Sequence, residues 1–281
     1  MTGRRDKGRF LILGCGHTGT TLISGIFHIN GYGSFKISQD FENLDLNALN
    51  QQILSGSDVS DDDIKAFITA VEKRTGGKWS LKDPRLSETI SRFYRHVSQP
   101  VRIIFNYRHP GATVRSLIKD RETYEAFLTP EQMLKSAEEE WLRRNRAILN
   151  FLDTENRSPV LMIHYEGLVD RKLDQTLSRF VGHPLDLSFI EPKKRHSAPM
   201  LVNDDLLELY EILNRRSEDN HREVFRTTNP VPVRAIRGPT PRTRIHVVSN
   251  RLINGFRWRV GRIGGLRPSA WKHGRPADGR P

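Results

Sequence analysis

A parallel β-sheet covered by helices on both faces is the fold class this sequence predicts, from two observations. Along the first 229 residues short apolar runs alternate with stretches of helical spacing. The first of these runs, Phe10 to Leu13, then passes through a glycine-rich loop straight into a helix.

That opening stretch sets the reading. Phe10-Leu11-Ile12-Leu13 suits a fully buried strand. Gly14-Cys15-Gly16-His17-Thr18-Gly19-Thr20-Thr21 follows, and Leu22, Ile23, Ile26 and Phe27 then fall at helical spacing up to Gly31. Strand, glycine loop and helix together aim free backbone N–H groups and the positive end of a helix dipole at an anion. Three readings compete: a plain tight turn, a dinucleotide fingerprint with Asp40 near the place of its ribose-binding acid, and a P-loop in which Thr20 stands where lysine would grip the γ-phosphate of ATP. A P-loop shape without that lysine suits a different anion.

Further along, Gly33 to Asp63 is polar and predicts a loop with short helices. A helix is expected from an Asp61 cap to Arg74, stopped by Gly76-Gly77. Trp79 and Leu81 mark a second strand, ended at Pro84, with Ser87 opening a helix through Tyr94 to Val97. Val101 to Tyr107 is the third strand, followed by Arg108-His109-Pro110 and a helix bearing Val114 to Ile118. Thr129-Pro130-Glu131-Gln132 carries a cap, a first-turn proline and a capping box, and starts a helix running to Leu152. Pro159 to Tyr165 is the fourth strand. A helix to about Val181 and an acidic helix from Asp204 to about Leu213 complete the domain. Ligands of such sheets bind at the carboxyl ends of the strands, so the glycine loop, Lys82-Asp83-Pro84-Arg85 and Arg108-His109-Pro110 should converge on one edge.

Charge divides the chain. Residues 230–281 hold twelve Lys and Arg against one acid, Asp278, and so carry +11 of the formal +12. The domain of residues 1–229 is nearly neutral, which argues against a nucleic-acid binder. The proline- and arginine-rich tail contains one amphipathic stretch, with Ile245, Val248, Leu252, Phe256, Val260 and Ile263 on one side of a helix flanked by arginines. It suits an anionic membrane, an acidic partner, or packing on its own domain. A single cysteine, Cys15, excludes an internal disulfide and a cysteine-cluster metal site, and no metal is expected. With no apolar run long enough to span a bilayer and no signal segment, a soluble cytoplasmic protein is expected.

Three patches, in order, give the chain a resemblance to the family of sulfotransferases that use 3′-phosphoadenosine 5′-phosphosulfate (PAPS), in its bacterial and Golgi-like branches. The stretch Gly14 to Thr21 resembles the 5′-phosphosulfate loop of that family. Trp79 to Leu86 resembles its Lys-Asp-Pro segment, and Arg108-His109-Pro110 with Ser116 resembles its 3′-phosphate motif. The resemblance spans roughly residues 9 to 185 and implies a P-loop-type sheet and transfer of a sulfuryl group to a hydroxyl on a sugar, lipid, small alcohol or tyrosine. It implies donor binding by Gly16, His17, Thr18, Gly19, Thr20, Thr21, Arg108 and Ser116. Lys82 becomes the catalytic cation, with His17 beside it. His17 departs from the arginine or lysine of most relatives, which shifts positive charge to Lys82. The base comes from Asp40 or Glu42, neither of which lies on a clear motif. A nicotinamide-dependent oxidoreductase and a non-enzymatic basic binding protein are the rivals. The first leaves Arg108, Ser116 and Lys82 unexplained; the second treats the domain as a scaffold.

Overall fold

The computed structural model describes residues 8–124, 127–190 and 198–228; the basic tail and its amphipathic stretch lie outside the described residues. Four strands, β1 (Arg9–Leu13), β2 (Trp79–Lys82), β3 (Arg102–Tyr107) and β4 (Val160–His164), form one all-parallel sheet in the order β2-β1-β3-β4. Because strand side chains alternate between faces, Leu11, Leu13, Ile103 and Phe105 enter one core and Phe10, Ile12 and Ile104 the other. The first core is closed by α2 (Leu44–Leu54), α3 (Asp61–Thr75), α4 (Leu86–Tyr94), α5 (Pro110–Tyr124) and α6 (Pro130–Thr154). The second is closed by α1 (Thr20–Ile29) and α8 (Asp174–Val181). A short α7 (Tyr165–Val169) follows β4. No helix among the described residues is long and apolar enough to cross a membrane.

Three local expectations are corrected. Helix α3 is capped by Ser60, not Asp61; Ser60 and Asp63 form a reciprocal capping box. Ser87 lies inside α4 rather than opening it, and its hydroxyl serves the glycine loop instead. The last helix, α9 (Asp204–Thr227), does not stop near Leu213. Beyond that point its inward residues, Val224 apart, are polar because they meet a sheet edge. Asn220 accepts from Met162 N–H and donates to Val160 O, and Ser217 donates to Met162 O. These side chains cover the unpaired backbone of edge strand β4, so apolar periodicity is absent where the helix is still packed.

The strand order reverses direction between β1 and β3: the chain leaves β1 toward β2 on one side and leaves β3 toward β4 on the other. The crevice at their carboxyl ends is where open α/β sheets bind ligands. The glycine loop leaves β1 there, and Arg108 leaves β3 there.

Candidate functional site

The loop is shaped by close approach and by side chains that spend their polarity inside it. A Cβ on Gly14 would lie 2.5 Å from Asn106 O, and one on Gly19 (φ 95°) would lie 2.3 Å from the Tyr165 ring, so both positions need glycine. Gly16 is different: a Cβ there would meet nothing closer than Arg144 Nη1 at 3.6 Å. Gly14 N–H donates to Ser87 Oγ (3.3 Å), which donates back to Gly14 O (3.0 Å). Asn106, fully buried, donates to Thr18 O.

Thr18 is buried, and its hydroxyl bonds Cys15 O (2.8 Å) and Asn106 O (3.3 Å). In this structure the Thr18 hydroxyl therefore braces the loop from inside. Thr20 is buried against Gly14. Thr21 receives a hydrogen bond from Lys82.

Lys82, 2% exposed at the end of β2, is held by Glu42 Oε1 (2.7 Å), Thr21 Oγ1 (3.3 Å) and Asp40 O (3.5 Å). Of the two candidate bases, Glu42 thus brings its carboxylate to the loop. Asp40 brings only its backbone carbonyl, and its side chain is exposed. The turn that separates them is tied by Ser38, whose hydroxyl accepts from Asp40 N–H (3.1 Å) and Glu42 N–H (3.2 Å).

At the other side of the loop, Arg108 is 5% exposed and donates from Nη1 to His17 O (3.3 Å) and from Nε to Glu166 Oε1 (3.4 Å), with Cζ 4.5 Å above the Tyr165 ring. Ser116 Oγ lies 3.1 Å from His17 Nδ1, and His17 Nε2 3.6 Å from Asp120 Oδ2. His17 has a left-handed backbone, φ 64°, which turns its carbonyl toward Arg108; histidine is among the residues that tolerate this region. Burial pushes its pKa below the ordinary value, against the pull of Asp120 and Glu140. A cationic His17 is therefore disfavoured, and the cationic side chains at the loop are Lys82, Arg108 and Arg144.

The predicted clusters all meet at the loop. What the sequence reading missed is the set behind them: Asn106, Ser87 and the Arg144–Glu140 pair beside Gly16 and Cys15; Tyr165-Glu166-Gly167-Leu168 is a weaker echo of the family that the sequence resembles, with no role read for it from sequence. No spacing rule points to Asn106, Ser87 or that pair, since they come from three different elements. Among the described residues no His, Cys, Asp and Glu cluster suits a metal ion.

No family model matches the sequence, and no curated protein matches it. Solved structures do. The sulfotransferase domain from the curacin biosynthetic pathway matches with a TM-score of 0.52 at 18% identity, over 74% of this chain and 97% of that one. The sulfotransferase domain of the Synechococcus PCC 7002 olefin synthase gives 0.48 at 16%, over 74% and 94%. Sulfotransferase STF9 from Mycobacterium avium gives 0.46 at 14%, over 82% and 78%. On the first of these, the chain has the fold of a sulfotransferase domain.

Proposed function

We propose that the protein is a sulfotransferase that moves a sulfuryl group from PAPS to a hydroxyl acceptor. The observation that carries this is the joining of two anion-competent places across the β1–β3 crevice. The loop N–H groups at the start of α1 lie on one side, the Arg108 guanidinium on the other, and His17 links them. A donor with negative charge at two ends needs two such places. The residues fit it: the side of Gly16 that a Cβ would take faces the Arg144 guanidinium, with Nη1 3.6 Å from the Cβ position, and Arg108 has donors beyond those given to His17 and Glu166.

The donor supplies an activated sulfuryl group, and the chain supplies position and charge. Glu42 takes the proton of the acceptor hydroxyl as that oxygen bonds sulfur and the bond from sulfur to the bridging phosphate oxygen breaks. Lys82 stabilises the charge left on that phosphate. Their 2.7 Å pairing keeps base and cation at the same point of the loop. A nicotinamide reading is less well served, because β2, next to β1, ends in Lys82 where a ribose-binding acid belongs. The acceptor and the tail's partner, an anionic surface or an acidic protein, belong to the same proposal, with nucleic acid disfavoured by the neutral domain.

Calorimetry with adenosine 3′,5′-bisphosphate tests it. The wild type should bind, and Arg108→Ala should lose about 100-fold in affinity, the scale of a charged hydrogen-bond set. Binding of NADH in place of the bisphosphate, or of neither, overturns the reading.

A further inference from the structure

Arg108 is fixed from behind as well as from the loop. Glu166, in the first turn of α7, takes Arg108 Nε on Oε1 and turns Oε2 inward, where that oxygen is buried 3.0 Å from His164 Nε2 without a hydrogen bond of its own, in contact rather than bonded to the nitrogen that meets Tyr210. His164, the last residue of β4, lies 2.8 Å from Tyr210 OH on α9. Tyr210 packs on His109 (ring centroids 5.0 Å apart), and Tyr107 donates to Asn214 one turn further along α9. A side-chain series therefore runs Arg108–Glu166–His164–Tyr210, from β3 through α7 and β4 to the outer helix.

This series settles where the guanidinium points. One Nη1 hydrogen goes to His17 O, Nε–H goes to Glu166, and Tyr165 covers one ring face. The other Nη1 hydrogen and both Nη2 hydrogens are given to neither of these partners. An arginine so held has already given up side-chain freedom that a loose one would lose on binding. We propose that Glu166 is a positioning residue for the donor's phosphate: it holds the Nε edge of Arg108 so that the Nη edge faces the ligand, and α9 sets Glu166 through His164 and Tyr210. The proposal rests on the sulfuryl-donor reading above. It adds a carboxylate beside an anion site, where simple charge counting would forbid one.

Adenosine 3′,5′-bisphosphate affinity and donor kinetics of folded variants test it, together with hydrogen exchange at Arg108 Nε–H followed by NMR. Glu166→Ala should weaken bisphosphate binding about tenfold or more. It should raise the donor KM with a smaller change in kcat and lose Nε–H protection. Glu166→Gln keeps an oxygen at Nε and should restore affinity and protection. Tyr210→Phe should fall between. Unchanged or tighter binding by Glu166→Ala, or no rescue by glutamine, overturns the positioning role, because then the carboxylate only competes with the ligand. An unprotected Nε–H in the wild type also overturns it, whatever the affinity. A wild type that binds no bisphosphate, with Nε–H protected, instead overturns the donor reading and with it this use of the tether.

Discussion

Arg108 Nη1 reaches the backbone carbonyl of His17 at 3.3 Å, so the arginine grips the loop through main chain, not through the imidazole. The carbonyl faces that way because His17 has φ 64°. Backbone conformation at position 17 should matter more than the ring. His17→Gly, which adopts positive φ freely, should melt within about 1 kcal/mol of wild type and keep bisphosphate binding. His17→Val should lose about 1–2 kcal/mol, the cost of a side chain in the left-handed region. Equal thermal stability of the two variants would refute the account.

Lys82 and Glu42 should show strong coupling. Either residue alone, stripped of its partner, is a charge in a largely closed site, with side chains 3% and 18% exposed. Lys82→Met and Glu42→Gln should each destabilise by about 1.5–3 kcal/mol. The double variant should recover part of that, since replacing both members of a buried pair costs less than breaking it. Sulfuryl transfer should stay absent in all three. Additive stability losses in the cycle would mean that the 2.7 Å contact is not a working pair.

Gly16 and Gly19 separate ligand space from folding space. Gly19→Ala forces a Cβ to within 2.3 Å of Tyr165 at φ 95° and should destabilise by about 2–4 kcal/mol in thermal unfolding. Gly16→Ala meets nothing closer than 3.6 Å and should unfold within about 0.5 kcal/mol of wild type. Under the proposed donor reading it should nevertheless weaken bisphosphate binding, because the added methyl stands between the loop backbone and the Arg144 guanidinium. Normal binding by Gly16→Ala places the ligand elsewhere.

The sheet was legible because β1, β3 and β4 are buried and read as apolar runs, β2 shows itself by Trp79 and Leu81 before Pro84, and the capping box at Thr129 is a purely local signal. The convergence of Lys82 and Arg108 on the loop followed from the strand-end rule, whereas Ser116, inside α5, came from the family resemblance. The inward turn of the Thr18 hydroxyl was not legible, since it depends on Asn106, 88 residues away. That Glu42 and not Asp40 would bring its carboxylate to Lys82 was equally hidden, because it turns on the Ser38 turn. Helix α9 was cut short because polar residues that cap an edge strand look in sequence like a solvated end.

Acid should loosen the domain earlier than its carboxylates alone require. Burial is the leading cause that lowers the pKa of His17, His109 and His164 below the ordinary value of about 6.5. The unfolded chain then takes up protons that the folded one refuses, so stability is present above pH about 6.5 and is lost as pH falls toward the folded values. The melting temperature should drop between pH 7.5 and 5.5, and His164→Gln should flatten the slope. A melting temperature that holds or rises over that interval contradicts the burial of these rings.

Cys15 offers a direct report on whether the ligand seats on the loop. It is fully buried beneath the loop, and burial pushes its thiol up to about 12, outweighing the opposing Arg144. At pH 8 the folded protein then holds about one part in 10,000 as thiolate, and the sulfur is out of reach as well. Alkylation by iodoacetamide should proceed only through opening of the Gly14–Gly19 segment or global unfolding, far below the rate of a free thiol. A ligand that binds the closed loop alone must slow this further, by about 100-fold at a concentration 100 times its Kd. Adenosine 3′,5′-bisphosphate should do so in the wild type and fail to do so in Arg108→Ala. Labelling at a free-thiol rate would contradict the burial of Cys15. Slow labelling that the bisphosphate leaves unchanged, although calorimetry detects binding, would mean that the nucleotide does not touch the loop that His17 ties to Arg108.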